Sequence, residues 1–151
     1  MGDKNSERSR NKGIIMKYFC RIELEDGLYG VTFPDFPNII TIGKDVDEAL
    51  AMAHEALNAS LACDVARGMP LPKPTAAKKG LYPVEVLPHI LIAWQIRELR
   101  GKLSQSEIAQ RMGLSYQSYQ RLENPVKGNP TIKTLERIAK VMGKQLSIQL
   151  V

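Results

Sequence analysis

The chain is poor in cysteine and in aromatic residues and has no long apolar run, and these scarcities exclude several classes of protein. Its 151 residues include only two cysteines, Cys20 and Cys63, which stand neither at a metal-ligand spacing nor beside a secretory signal. A disulfide-stabilised secreted domain is therefore excluded, and a cytoplasmic location is expected. No apolar run approaches the roughly 18 to 20 residues that a membrane-spanning helix needs, so no membrane partner is expected.

Histidine is also scarce, and the side chains that perform acid-base or metal chemistry are badly placed for it. His54 and His89 have no Ser, Cys or Asp at the spacing of a nucleophile or a ligand. Asp35 falls in a predicted turn, and Asp47 and Glu48 open a predicted helix, so these carboxylates do not converge on metal ions. We therefore predict no catalytic residue, no metal site and no cofactor, and we do not expect an enzyme.

The positive charge is concentrated in the second half of the chain. From residue 84 onward 10 Lys and Arg stand against 5 Asp and Glu, a net charge of +5, whereas residues 1–83 contain 11 of each. Residues 16–74 contain 5 basic and 9 acidic residues, a net charge of −4. A cationic surface attracts phosphate through counterion release, and an anionic one does not. Two modules with different partners are predicted.

Residues 1–15 are polar and charged and show no apolar periodicity before Ile14, which predicts a disordered tail. Its four basic residues could touch DNA, but a solvated leader is the favoured interpretation. A second methionine, Met16, directly precedes the first predicted strand, and the alternative interpretation of residues 1–15 is that Met1 is an upstream start codon and Met16 the true one.

Residues 16–87 predict a small β-β-β-α-β domain. Apolar alternation from Lys17 onward gives a first strand, which ends in the hairpin turn Glu25-Asp26-Gly27. A second strand follows over 28–33 and, after a break containing two prolines, a short third strand over 39–42.

The rest of this domain is predicted to be one helix, a tether and a last strand. Asp45 and Glu48 form a capping box for a helix whose apolar positions recur at helical spacing. Residues 70–80 are rich in Pro, Ala and Lys, which is typical of an extended tether. Residues 82–87 alternate as a strand that either rejoins the sheet at its edge or leads into the next helix.

Residues 103–142 predict three short helices. Ser104 and Glu107 form a capping box for the first helix, which ends at Gly113, and Ser115 is the cap of the second. The third is predicted to begin with Asn129 as cap and Pro130 at its first helical position.

The second of these helices carries the side chains suited to base edges. Tyr119 and Leu122 are expected to point inward and four residues outward, namely Tyr116, Gln117, Gln120 and Arg121. Amides pair with adenine and Arg with guanine, and a Tyr ring meets a thymine methyl group. Polar outer faces also occur on helices that bind nothing, but the Gly113 turn and both caps favour a DNA reader.

Residues 103–142 resemble the lambda-repressor/Cro-like (Xre) helix-turn-helix family, whose pattern they match at Gln105, Ala109, Gly113, Ser115 and Glu123. A preceding helix over 88–100 would complete the all-α bundle. The resemblance implies base contacts from Tyr116, Gln117 and Arg121, and backbone or flanking-base contacts from Gln105, Ser118 and Asn124. One departure is Tyr119, because the family usually has an aliphatic residue there. The predicted DNA-binding residues are Gln105, Ser115, Tyr116, Gln117, Ser118, Gln120, Arg121, Asn124 and Lys127.

Residues 16–87, with YGVTFPDFPNIITIGKDVDEALAMAHEAL followed by PLPKP, resemble the HicB antitoxin family. That family has a degenerate ribonuclease-H-like sheet, often joined to a DNA-binding domain. The resemblance implies a HicA-like partner, a small basic toxin that cleaves messenger RNA, and repression of the shared promoter. The family's D-x-P element is present here, and the candidate toxin-binding residues are Asp35, Phe36 and Pro37. Where members often carry Gly-Cys after this proline, the present chain has Asn38-Ile39.

The predicted α+β chain thus comprises a tail, 1–15, a toxin-binding domain, 16–87, a DNA-binding domain, 88–143, and a terminal strand, 144–151. The strand follows from the alternation of Leu146, Ile148 and Leu150. Such a strand either folds back or pairs across a two-fold axis in a homodimer or higher even oligomer. Two other functions remain open: a one-component regulator whose sheet module senses a small ligand, and a metal-dependent nuclease.

Overall fold

The computed structural model of the protein describes residues 16–151. Within these residues a four-stranded sheet and one long helix precede a helical region, which confirms the predicted α+β class and the β-β-β-α-β order. The elements are β1 (Lys17–Glu25), β2 (Leu28–Phe33), β3 (Phe36–Gly43), α1 (Val46–Ala66), β4 (Leu81–Glu85), α2 (Pro88–Arg100), α3 (Gln105–Met112), α4 (Tyr116–Leu122) and α5 (Ile132–Val141).

The sheet is antiparallel, with strand order β3-β2-β1-β4. Strand β4 rejoins the sheet beside β1, so the first of the two predicted alternatives is correct. The predicted start of β3 at residue 39 was wrong, since the strand already begins at Phe36. A proline at position 37 is tolerated there because β3 is an edge strand, where a missing N–H can face away from the ladder.

Helix α1 covers one face of the sheet and begins at the predicted cap. The Asp45 carboxylate accepts a hydrogen bond of 2.7 Å from the backbone N–H of Glu48, and the Glu48 carboxylate accepts one of 2.6 Å from the N–H of Lys44. Gly43 lets the helix start this close to β3, because a Cβ at that position would lie 2.3 Å from the backbone nitrogen of Ala49. The helix buries Ala49, Ala53, Leu57, Leu61 and Val65 against the sheet.

Residues 70–78 have no regular secondary structure, but two contacts fix them to the sheet. The Tyr18 hydroxyl donates a 2.7 Å hydrogen bond to the carbonyl of Pro72. The Asp35 carboxylate accepts hydrogen bonds from the backbone and the hydroxyl of Thr75, at 2.9 and 2.5 Å. These contacts make the segment a strap across the domain rather than a loose tether.

Helix α2 belongs to both hydrophobic cores. Its first half buries Ile90 and Ala93 in the core formed by the sheet and α1. Its second half buries Ile96 in the core of the helical bundle. The start of α2 is held by the buried Asn58 of α1, because the Asn58 amide oxygen accepts a 2.8 Å hydrogen bond from the N–H of Leu87. Because one short helix enters both cores, the two modules are joined rigidly.

Helix α5 begins later than predicted. Its N-cap is Thr131, whose hydroxyl accepts a 3.2 Å hydrogen bond from the N–H of Thr134. Asn129 and Pro130 therefore belong to the preceding loop, and the prediction that they form the cap and first helical residue was wrong. Both Asn and Thr suit a cap, and the one whose side-chain oxygen accepts from a free N–H of the first turn sets the boundary.

Residues 144–151 form no strand in the described chain, so the predicted terminal strand is not present within one copy. Leu146 is half-buried beside α2 and α5, whereas Ile148 and Leu150 are exposed. Pairing of this segment across a dimer stays a prediction.

Candidate nucleic-acid interface

Helix α4 is positioned by a tight turn and by its own cap. Gly113 ends α3 in the left-handed conformation, with φ of 67°. The Ser115 hydroxyl then accepts a 3.1 Å hydrogen bond from the N–H of Ser118 and meets the Ser118 hydroxyl at 2.9 Å. Tyr119 and Leu122 point into the bundle core, as predicted. Two of the predicted DNA-binding residues, Ser115 and Ser118, thus also hold the first turn of the helix.

The outer face of α4 presents the other predicted residues together. The side chains of Gln117, Gln120 and Arg121 are exposed, and Tyr116 is 44% exposed. The Gln120 amide donates to the Tyr116 hydroxyl at 2.8 Å and reaches the Gln105 side chain of α3 at 3.4 Å. This contact orients three polar side chains before any ligand arrives, which reduces the ordering cost of binding.

Asn124 organises the loop that follows α4. Its side-chain oxygen accepts hydrogen bonds from the N–H groups of Val126 and Lys127, at 3.0 and 3.1 Å. The turn also needs Gly128, because a Cβ there would lie 1.9 Å from the carbonyl oxygen of Arg121. The result is an exposed Lys127 held next to the outer face of α4. Asn124 therefore positions a cation as well as lying on this face.

A partly buried ion pair fastens the end of α4 to α2. Arg100 donates to the two carboxylate oxygens of Glu123, at 2.8 and 3.0 Å, and to the carbonyl of Leu103. The Glu123 side chain is only 5% exposed, and its hydrogen bond raises the pKa of Arg100 above the ordinary value. From the sequence, Glu123 was identified only as a match to the helix-turn-helix family pattern, with no predicted partner. Its pairing with Arg100 links residues 23 apart, a distance no local pattern reveals.

The D-x-P element of the sheet module is mostly occupied by internal contacts. Phe36 is buried and meets the ring of Tyr18 edge to face, with 4.7 Å between ring centroids. Asp35 holds the strap through Thr75. Of the three residues predicted to bind the toxin, only Pro37 is exposed.

The exposed apolar surface of this module lies on the sheet face opposite α1. Ile40 and Ile42 of β3 are 71% and 54% exposed. The strand register places Thr32 and Arg21 beside them on that face. We call this surface the outer sheet face. Sequence reasoning missed it, although the run Ile39-Ile40-Thr41-Ile42 carries apolar residues on both faces of one strand, which is the available signal.

Groups suited to metal or nucleophilic chemistry do not assemble in the described part of the chain. Among residues 16–151 no group of three His, Cys, Asp or Glu side chains could hold a metal ion. Burial raises the pKa of the Cys20 thiol to about 11, which disfavours the reactive thiolate. Cys63 is a free cysteine on the exposed side of α1. No helix of residues 16–151 is long and apolar enough to span a membrane.

Comparisons with known proteins match both modules. Residues 17–93 match the family described as HicB_like antitoxin of bacterial toxin-antitoxin system, and residues 95–149 match a helix-turn-helix family. The two matches meet inside α2, the helix that enters both cores. The fold and the exposed face of α4 thus define a helix-turn-helix DNA-binding protein with an added sheet module.

The chain belongs to the HicB-like antitoxin family. It is 32% identical over 138 residues to Antitoxin HicB 1 of Photorhabdus laumondii, covering 89% of this chain and 87% of that protein. It is 30% identical over 130 residues to Antitoxin HicB of Escherichia coli strain K12, covering 83% and 92%. Plasmid copy control protein CopR of Streptococcus agalactiae is 36% identical over 56 residues, covering 37% and 60%. These relatives are named as antitoxins and a control protein, not as enzymes, and both predicted family resemblances are confirmed.

Proposed function

We propose that the protein neutralises a small, basic, HicA-like ribonuclease toxin with its sheet module and represses its own operon with its helix-turn-helix module. The observation that carries the proposal is the pairing of an HicB-like sheet with a preorganised polar face on α4 in one rigid chain. Net charges of −4 over residues 16–74 and +5 from residue 84 onward suit a cationic protein and DNA respectively.

The outer face of α4 supports sequence-specific binding to operator DNA. Arg121 and Gln117 are exposed at the positions from which this class of helix reaches the major groove. Lys127 and Asn124 flank them and suit phosphate oxygens. Base-reading side chains and a phosphate-binding loop side by side are what a repressor of one operator needs.

We assign toxin binding to the outer sheet face together with Pro37. Ile40 and Ile42 supply apolar area that water otherwise covers, and burial of such area is a major favourable contribution to protein association. The acidic excess of the module steers a basic partner toward it and repels RNA. The internal contacts of Asp35 and Phe36 give these two residues the role of shaping the turn that presents Pro37.

A homodimer is the expected assembly. Helix-turn-helix proteins of this class read two half-sites one helical turn apart, which requires two copies of α4. The exposed Ile148 and Leu150 of the terminal segment offer an apolar contact between the two copies.

The toxin assignment is tested by capture from the native cell lysate with full-length protein and with the variant Ile40→Asp/Ile42→Asp. We expect the wild-type chain to retain a small basic protein at near-equal stoichiometry. That protein should cleave messenger RNA when released and stop when the antitoxin is added back. The matched control, Ile132→Asp, carries a new charge on another exposed isoleucine, at the start of α5, and should still capture it. Equal capture by the sheet variant would overturn the assignment.

A further inference from the structure

Helix α2 enters both cores and so forms a rigid joint, which places the end of α1 opposite the DNA-reading residues. The Arg97 guanidinium of α2 donates a 2.7 Å hydrogen bond to the carbonyl of Met69, in the turn that follows α1. This bond holds the turn against α2, and the bond between the Leu87 N–H and the Asn58 side chain holds the start of α2 against α1. The turn, residues 66–69, is here called the α1 junction.

A half-open cavity of about 340 Å³ separates the α1 junction from the interface. One wall consists of Val65, Ala66 and Gly68. The opposite wall contains residues already placed at the DNA interface, namely Gln105, Gln117, Gln120, Arg121, Asn124 and Lys127. DNA that contacts these side chains therefore passes close to the sheet module.

Two arginines beside the cavity have guanidinium groups that are available to bind phosphate. Arg97 lines the cavity, and its Nη1 is buried without a hydrogen-bond acceptor among the described residues. Arg67 is exposed and stands between two cavity-lining residues, Ala66 and Gly68. It is one of only 5 basic residues in the stretch 16–74, which otherwise has an acidic excess. A phosphodiester oxygen is an acceptor that suits both guanidinium groups.

We propose that Arg67 of the α1 junction and Arg97 of the adjoining α2 form a second DNA contact: both bind the sugar-phosphate backbone beside the half-site that α4 reads. The inference rests on DNA reading by α4 and extends the footprint onto the sheet module. The sheet module then contributes sequence-independent affinity, while α4 contributes the choice of sequence.

The test is a salt titration of full-length protein on a duplex selected from a random library by the wild-type chain, and on a scrambled duplex. Arg67→Gln should lower affinity on both duplexes by roughly fivefold at about 0.1 M salt. It should also reduce the slope of log K against log salt by about one, because one phosphate contact is lost. The control is Arg21→Gln, which removes the same charge from the same module on the outer sheet face, away from the cavity.

Backbone protection gives a second readout that does not depend on affinity. Hydroxyl-radical footprinting should show a protected backbone segment outside the half-site, and Arg67→Gln should remove it. A slope and footprint identical to those of Arg21→Gln would overturn the proposal, as would tighter binding, which would mean that the junction obstructs DNA. Loss of sequence preference in Arg121→Ala reports on the α4 assignment separately, so failure of one proposal is distinguishable from failure of the other.

Discussion

The sheet module and the helical module use their polar motif residues in opposite ways. In the sheet module Asp35 turns inward to hold Thr75, and the exposed side chains of the outer sheet face include Ile40 and Ile42. In the helical module Gln117 and Arg121 stay at the surface. A motif residue on the solvent-exposed face of a helix is therefore available to bind a partner. A motif residue that makes a long-range contact within the chain, as Asp35 does, stabilises the fold instead.

The two modules also differ in their ion pairs: the pair Arg100–Glu123 of the helical module is mostly buried, and the pair Arg21–Glu23 of the sheet module is exposed. The largest expected effect comes from breaking the buried pair. Arg100→Ala leaves the carboxylate of Glu123 buried without its partner, so we expect a loss of about 3 to 5 kcal/mol in the free energy of unfolding. Urea denaturation followed by circular dichroism measures it.

The control for that variant is Arg21→Ala in the sheet module. Its pair with Glu23 is 3.9 Å long, with side chains 56% and 74% exposed, and should contribute less than about 1 kcal/mol. Similar losses in both variants would contradict the contrast between a buried and an exposed pair.

The rigid joint can be weakened at Asn58. Asn58→Ala removes the acceptor for Leu87 and the donor for Glu85, and we expect it to destabilise the protein by about 2 kcal/mol. Trp94 of α2 packs against the sheet core, so its fluorescence reports that module. Fluorescence and circular dichroism should give one unfolding curve in the wild type and two in the variant, whereas Asn38→Ala, at an exposed position of β3, should leave a single curve.

The helical module can be dissected into base reading and phosphate binding. Arg121→Ala should weaken binding by about 1 to 3 kcal/mol at one base position and relax the preference there. Lys127→Ala should weaken binding to all duplexes alike and lower the salt slope by about one. Fluorescence anisotropy on matched and single-mismatch duplexes separates the two patterns, and the same pattern for both variants would refute the division of roles.

The smallest expected effect is a pH dependence that arises in the sheet core. Burial, and secondarily the charge of Asp35, raises the pKa of Tyr18 from 10.0 to about 12. The folded state therefore keeps a proton that the unfolded state loses. Its contribution to stability is complete below pH 10 and disappears as the pH rises toward 12.

Tyr18→Phe should flatten this alkaline loss of stability, measured as urea midpoints between pH 8 and pH 11. Tyr116→Phe, on the exposed face of α4, should leave the loss unchanged. An equally steep decline in Tyr18→Phe would assign the alkaline sensitivity to other groups.

Local chemistry made much of this structure predictable. Several features depend only on neighbouring residues and could be predicted from one sequence: the caps at Asp45, Ser104 and Ser115, the Gly113 turn and the boundaries of α2. The contact between Asp35 and Thr75 spans 40 residues, and that between Asn58 and Leu87 spans 29. Such contacts arise only when the chain closes on itself.

Part of the interface was predictable for the same reason. The outward residues of α4 follow from helical periodicity, whereas the approach of the α1 junction to them depends on how α2 joins the two cores. The start of α5 was missed because Asn129 and Thr131, two residues apart, both suit a cap.

The central claim is that one rigid chain carries two separate binding surfaces, and a reciprocal comparison of two variants tests it most directly. Full-length Ile40→Asp/Ile42→Asp and full-length Arg121→Ala are each assayed for capture of the small basic ribonuclease and for binding to the selected duplex. The account predicts that the first variant loses the ribonuclease and binds the selected duplex with unchanged affinity, and that the second keeps the ribonuclease and binds the selected duplex more weakly. Loss of both ligands in both variants, or of neither, would contradict it.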